Sequence, residues 1–110
     1  MPKQIRAKNI TLNAMQKEHI EKAMDNFKKY GLDITRIIAN VMEEKKRIHI
    51  EFEVHVAHNE PIIINEIDDK FNEAVDKAEK RVEKALRRLH DKIKSPKHES
   101  LRTILNEIEE

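Results

Sequence analysis

Cysteine is absent from the 110-residue chain, and glycine occurs only once, at Gly31. Without cysteine the protein can form no disulfide, thiol nucleophile, zinc ribbon or iron–sulfur centre. A single glycine excludes the glycine-rich loops that cradle phosphate groups in P-loops and dinucleotide-binding folds. Several large classes of nucleotide-dependent and redox enzyme are therefore excluded before any motif is considered.

Long apolar runs are also missing. No stretch approaches the roughly 18 consecutive apolar residues of a membrane span, and the N-terminus lacks the apolar core of a signal peptide. The length of 110 residues suits one compact domain. We therefore expect a cytoplasmic, single-domain protein that does not bind a membrane.

Aromatic residues are few: Phe27, Phe52, Phe71 and Tyr30. The three phenylalanines lie at apolar positions of predicted elements, so we expect them in the core. Binding of single-stranded RNA by base stacking is therefore not favoured. Any RNA contact would depend on backbone charge and shape, as suits a structured RNA.

Charged residues are abundant and almost balanced, with 22 Lys and Arg against 21 Asp and Glu. This balance hides an uneven distribution. Residues 1–68 hold 11 of each sign, residues 69–98 hold 10 basic and 6 acidic residues, and residues 99–110 hold 1 and 4. A neutral segment is thus followed by a basic one and then by an acidic tail.

The hydropathy pattern predicts the order β-α-β-β-β-α. Residues 48–56 alternate perfectly between apolar and polar side chains, which is typical of a strand with one buried and one wet face. We predict strands at 3–10, 36–43, 48–56 and from Ile62. We predict helices from a cap at Thr11 or Asn13 to Tyr30 and from about Asp69 to Lys94, and Asn13 and Gln16 have the spacing of a capping box. The expected fold is a two-layer α/β sandwich, with a four-stranded sheet and two helices on one face.

The chain divides into a domain at 1–95 and an acidic, amphipathic tail at 96–110. Residues 100–109 are predicted to form a short helix whose apolar stripe is Leu101, Ile104, Leu105 and Ile108. Such a helix is too short to persist in water without a partner. The tail folds back on its own domain, frays, or docks on another protein, and the sequence leaves these alternatives open.

The last predicted helix separates its charges by sign. At 100° per residue, one flank of its apolar stripe carries Lys70, Lys77, Arg81, Lys84 and Arg88, and the other carries Asp76, Glu79 and Glu83. Ordinary exposed helices mix the signs to form i,i+4 pairs. The basic flank is either a ridge that contacts phosphates or a solvated face that keeps the protein soluble.

Candidate catalytic and metal sites are poor. His49 and His55 share a strand face but lie about 20 Å apart, too far to chelate one ion. The paired carboxylates fall on turns or on the wet strand face, where nothing shifts a pKa for acid–base chemistry. We therefore expect no enzyme, no cofactor and no small-molecule substrate.

The last helix also carries a motif. Ala74-Val75-Asp76, followed by Arg81-Val82-x-Lys84-x-Leu86-x-Arg88-x-x-x-Lys92, resembles a run in the family of ribosome hibernation-promoting factors and ribosome-associated inhibitor A, once called sigma-54 modulation proteins. The resemblance covers residues 1–94, and the chain is similar to the short form. It implies binding to the small ribosomal subunit in the tRNA/mRNA channel and silencing of idle ribosomes under stress or in stationary phase.

The resemblance also implies which residues contact 16S-type rRNA. The motif transfers this role to Arg81, Lys84, Arg88 and Lys92, with Lys17 from the first helix. Charge and position add Lys22, Lys28, Lys29, Lys77 and Lys80. We expect a monomer when the protein is free. The alternatives are a protein–protein adaptor that uses its tail and a generic binder of structured RNA.

Overall fold

In the computed structural model, residues 2–94 are described, and they form one sheet and two long helices. The elements are β1 (Lys3–Lys8), α1 (Ala14–Phe27) with a short 3-10 turn (Lys28–Tyr30), β2 (Ile34–Glu44), β3 (Arg47–Val56), β4 (Ile62–Asp68) and α2 (Phe71–Lys94). The predicted order is confirmed. The predicted helix at 100–109 and the tail at 96–110 lie outside the described residues. Between residues 2 and 94 no helix is both long and apolar enough to cross a membrane.

The four strands lie side by side in chain order. The first two are parallel, and the crossover between them is α1, whereas β2–β3 and β3–β4 are antiparallel. The β2–β3 hairpin turns on Lys45 and Lys46, whose φ values are 53° and 66°. Two consecutive left-handed residues are what a tight type I′ hairpin turn requires.

Both helices pack on one face of this sheet, as predicted. The alternation in β3 buries the side chains of Ile48, Ile50, Phe52, Val54 and Val56 and leaves the residues between them half-buried on the other face. The ring of Phe52 meets that of Phe27 from α1 edge-on, with 5.2 Å between the ring centres. This contact lies between the sheet and the helical layer and contributes about 1 kcal/mol beyond the burial of the two rings.

Helix α1 begins after the predicted Asn13 cap, but the α-helix ends at Phe27, and the last residues of the predicted helix, Lys28–Tyr30, form a 3-10 turn. The Asn13 side chain accepts from the backbone N–H of Gln16 (2.7 Å), and the Gln16 side chain accepts from the N–H of Asn13 (3.0 Å). These two bonds form a capping box, which satisfies two N–H groups that an open helix end would leave unpaired. The chain leaves the helix through Gly31, which adopts φ 68°.

The apolar stripe of α2 is shorter than its sequence pattern. Its last fully buried member is Leu86, Leu89 is partly buried, and Ile93 is 47% exposed. A helix of 24 residues is about 36 Å long, whereas the seven residues of β4 span about 23 Å. The last turns of α2 therefore extend beyond the strand beneath them.

We expect Gly31→Ala to lower the free energy of unfolding by about 1 kcal/mol, because alanine avoids the left-handed conformation. A Cβ atom at Gly31 would meet nothing within 4 Å, so the loss reports backbone conformation alone. Urea denaturation measures it. Lys46→Gly is the opposite control, because glycine adopts the left-handed conformation of Lys46 without steric cost. It should raise the free energy of unfolding by about 0.5 kcal/mol. Equal midpoints for both variants would contradict this account.

Candidate nucleic-acid interface

The two helices lie side by side and run in the same direction. Each of three side chains of α1 and its 3-10 turn contacts a carboxylate of α2: His19 with Asp76 (2.9 Å), Asn26 with Glu79 (2.6 Å) and Tyr30 with Glu83 (3.0 Å). The acidic flank of α2 thus faces α1. Its three carboxylates, Asp76, Glu79 and Glu83, form a line along the junction that we call the carboxylate seam.

The seam concentrates negative charge at a partly buried place. Burial raises the pKa of Glu79, and the neighbouring charges of Glu83 and Asp76 act in the same direction, although the Asn26 amide opposes them. Burial also raises the pKa of Tyr30, and its hydrogen bond to Glu83 adds to this effect. The carboxylates therefore repel each other while they hold the two helices together.

On the opposite flank of α2, two of the predicted RNA-binding cations contact the protein's own sheet. Lys77 Nζ lies 2.7 Å from an Asp68 carboxylate oxygen. Arg81 Nη1 donates to the Glu66 carboxylate (2.7 Å) and to the backbone carbonyl of Asn65 (2.9 Å). All three acceptors belong to β4, the edge strand under α2. Both cations therefore have a structural role that the helical wheel did not reveal.

The remaining predicted cations of α2 are exposed to solvent. Lys80, Lys84, Arg88 and Lys92 are exposed, and within residues 2–94 no carboxylate lies within 4.0 Å of their charged atoms. We call Lys80, Lys84 and Arg88 the outer cation row. They follow the helix at four-residue spacing, so they line one side of it over about 12 Å.

Sequence reasoning missed Arg87. Its guanidinium carbon lies 5.9 Å from the centre of the Tyr30 ring, in a cation–π arrangement that links the end of α1 to α2. Arg87 lies seven residues after Lys80 and four after Glu83, so it is placed between the outer cation row and the carboxylate seam. The i,i+4 spacing of Arg87 from Glu83 was the only signal in the sequence that could have indicated a role for Arg87. That role depends on Tyr30, whose position beside Arg87 is visible only in the structure.

The four predicted cations of α1 and its 3-10 turn are exposed but do not share one side. Lys28 lies 3.6 Å from Asp25, which also bonds Lys3 of β1 (3.0 Å), and this bond holds the pKa of Asp25 below its usual value. Lys28 therefore lies on the β1 side of α1. Lys17, three helical turns earlier, shares that side.

The other two cations lie nearer α2. Lys22 and Lys29 stand four residues before and three residues after Asn26, which contacts Glu79 of the seam, so they are its neighbours on the helix surface. Lys22 is weakly paired, 3.9 Å from Glu18. The ten predicted residues thus differ in position: some are bound to β4, some line the outer side of α2, and those of α1 divide between its β1 side and the junction of the helices.

Clusters suited to a metal are not found between residues 2 and 94, where no three His, Asp or Glu side chains could hold one ion. The histidines on the open sheet face have single carboxylate neighbours. His55 Nε2 lies 2.8 Å from Glu53, and His49 Nε2 lies 3.9 Å from Glu44. These contacts are ordinary surface pairs.

Comparison with known families bears on this helical surface. The profile of the family described as sigma 54 modulation protein / S30EA ribosomal protein matches residues 4–94. The chain belongs to this family. The match includes both helices and the Ala74–Lys92 motif, so the resemblance inferred from that motif is confirmed. S30EA proteins are ribosome-associated proteins and not a family of enzymes.

Solved structures share the fold of this S30EA member. The N-terminal domain of Protein Y from Thermus thermophilus superposes with a TM-score of 0.70 at 20% identity, over 79% of this chain and 94% of that one. A ribosomal subunit interface protein from Coxiella burnetii gives 0.71 at 16% identity, over 81% and 97%. At such identities the likeness shows the fold alone. No curated protein matches the chain by sequence.

We expect Arg81→Ala to lower the free energy of unfolding by about 0.5–1 kcal/mol, because it unpairs Glu66 and the Asn65 carbonyl at the sheet edge. Lys84→Ala is the matched control on the same helix, and its change should stay within about 0.5 kcal/mol. Urea denaturation of both variants measures the difference. If the two substitutions cost the same, the contacts of Arg81 with β4 do not stabilise the fold.

The Asp68–Lys77 pair predicts a pH dependence of stability. The hydrogen bond from Lys77 and the backbone N–H of Lys70 hold the pKa of Asp68 below its usual value. The folded state therefore binds fewer protons than the unfolded state below about pH 4, where a free aspartate titrates. This stabilisation is present above that pH and is lost as the pH falls through the folded pKa.

We therefore expect the urea midpoint of Asp68→Asn to fall less steeply than that of the natural chain between about pH 5 and about pH 2. Lys77→Ala removes the main cause of the shift and should also flatten the profile. Parallel profiles for all three proteins would show that this pair does not link protonation to folding.

Proposed function

We propose that the protein binds the small ribosomal subunit in the tRNA/mRNA channel and inhibits translation while ribosomes are idle, under stress or in stationary phase. The observation that carries this proposal is the outer cation row of Lys80, Lys84 and Arg88. It lies on the helix that holds the family motif, it is exposed, and none of its charged groups forms an ion pair with a carboxylate within the described residues. Phosphates of 16S-type rRNA are its natural ligands.

The arrangement of the remaining cations supports the same surface. Lys92 continues the row along α2, Arg87 lies between the row and the seam, and Lys22 and Lys29 lie across the seam. Lys17 and Lys28 would reach a more distant part of the RNA, because they lie on the β1 side of α1. Lys77 and Arg81 contact β4, so we propose that they position the helix more than they bind phosphate.

One of the proteins that share this fold is a ribosomal subunit interface protein, and its name is consistent with a ribosomal partner for this chain too. We further propose that the protein acts in the cytoplasm, as a monomer when free, without a cofactor. Residues 1–95 would form the ribosome-binding domain and residues 96–110 a separate acidic tail.

Reversing the charge of the outer cation row tests the proposal. We expect the full chain to sediment with purified small subunits in a sucrose gradient and to be released steeply by added salt, as counterions return to the phosphates. Lys80→Glu/Lys84→Glu/Arg88→Glu should abolish sedimentation with the subunits. Its melting temperature should remain close to that of the natural chain, because none of these side chains forms an ion pair within residues 2–94.

The matched control changes the same charge elsewhere. Arg36→Glu/Lys45→Glu/Lys46→Glu replaces three exposed cations of β2 and its hairpin, outside the helical layer. We expect it to retain binding. A helix variant that still sediments with small subunits, or a control variant that loses binding equally, would refute the assignment of the outer cation row.

A further inference from the structure

The carboxylate seam lies in the middle of the surface that we assign to RNA. Two of its three partners on the neighbouring helix, the Asn26 amide and the Tyr30 hydroxyl, are neutral donors that do not cancel the charges of Glu79 and Glu83, whereas Asp76 contacts His19. The side chain of Asp76 is 52% exposed, and those of Glu79 and Glu83 are partly exposed. An approaching phosphate therefore meets negative charge at the junction of the helices.

Cations flank the seam on both sides. On α2, Lys80 and Lys84 each follow a seam carboxylate by one residue, and Arg87 follows Glu83 by one turn. On the other side, Lys22 and Lys29 neighbour Asn26 on the helix surface. The two sets of cations stand on packed helices, whose axes are typically about 8–10 Å apart, and the carboxylates lie between the two sets.

We propose that the carboxylate seam determines which RNA the protein accepts. An RNA is favoured when two separate backbone segments lie over the two sets of cations and leave the junction empty. An RNA whose phosphates cross the junction is repelled. Selectivity of this kind comes from a built-in repulsion against the wrong partner, and not from additional attraction to the right one. The proposal rests on the proposed function and adds a specificity-determining role for Glu79 and Glu83.

This role explains why acidic residues occupy such a place. Aliphatic or amide side chains could also join two helices, and they would not oppose a polyanion. The raised pKa of Glu79 shows that burial and the neighbouring carboxylates disfavour its charge. The negative charges of the seam destabilise the helix junction, but they repel unsuitable RNA. This second effect is a function that packing of the helices does not require.

Glu79→Gln/Glu83→Gln tests the proposal without dismantling the junction. A glutamine carbonyl can still accept from Asn26 and Tyr30, so the helix contacts are kept while two negative charges are removed. The control is Glu43→Gln/Glu44→Gln, which makes the same charge change on the exposed end of β2. Equilibrium dissociation constants are measured for small subunits and for a short, perfectly paired RNA duplex at one fixed salt concentration.

We expect the seam variant to bind the duplex about tenfold more tightly than the natural chain does. The reason is that two negative charges close to the RNA phosphates, near the protein surface, have been removed. Its affinity for small subunits should change less than about threefold, so the preference for small subunits over the duplex falls. The control variant should leave that preference unchanged. Should the double variant melt early, Glu79→Gln alone gives a smaller change in the same direction.

The outcomes separate the two proposals. If the natural chain binds small subunits but the seam variant keeps its preference, or shifts it no more than the control does, the seam has no role in selectivity and the proposed function stands. If the natural chain does not bind small subunits, the proposed function fails and this inference fails with it.

Discussion

The structure depends on the way α2 divides its surface. One stripe, from Ala74 to Leu86, is buried against the sheet; one flank is bonded to α1 through carboxylates, and the other is bonded to β4 through Lys77 and Arg81. Both the other helix and the edge of the sheet are thus fixed against this helix. The outer side of α2 is therefore the part of its surface that remains exposed. This side is basic because the carboxylates of the seam lie in the junction with α1.

Most of the fold could be predicted from local patterns. The alternation at 48–56 and the box formed by Asn13 and Gln16 are signals within one element, and the structure reproduces them. The predicted limits are less accurate where no local signal exists. The helical pattern extends the stripe of α2 to Ile93, although the sheet beneath the helix does not continue so far. A pattern along one element cannot show where its neighbour ends.

The candidate site was predictable only in part, for a related reason. A helical wheel correctly separates the two signs on α2, but it treats the five cations of the basic flank as equivalent. Lys77 and Arg81 differ from Lys84 because carboxylates of β4 lie beside them, and this follows from sheet order and not from spacing. Arg87 was missed because its meaning depends on Tyr30, a residue 57 positions earlier in the chain. Contacts distant in sequence decide which charges remain available.

The near-zero net charge is consistent with an RNA partner once distances are considered. At physiological ionic strength, screening limits electrostatic interactions between exposed charges to about 8 Å. The outer cation row spans about 12 Å, so a phosphate beside Lys84 senses that row and the adjacent seam but little of the remaining chain. Under the proposed function, acidic residues on the open face of the sheet lie beyond this distance and would not weaken binding, and Glu66 and Asp68 are paired with Arg81 and Lys77. The seam carboxylates lie within this distance, so their effect on binding would depend on where the phosphates of a given RNA lie.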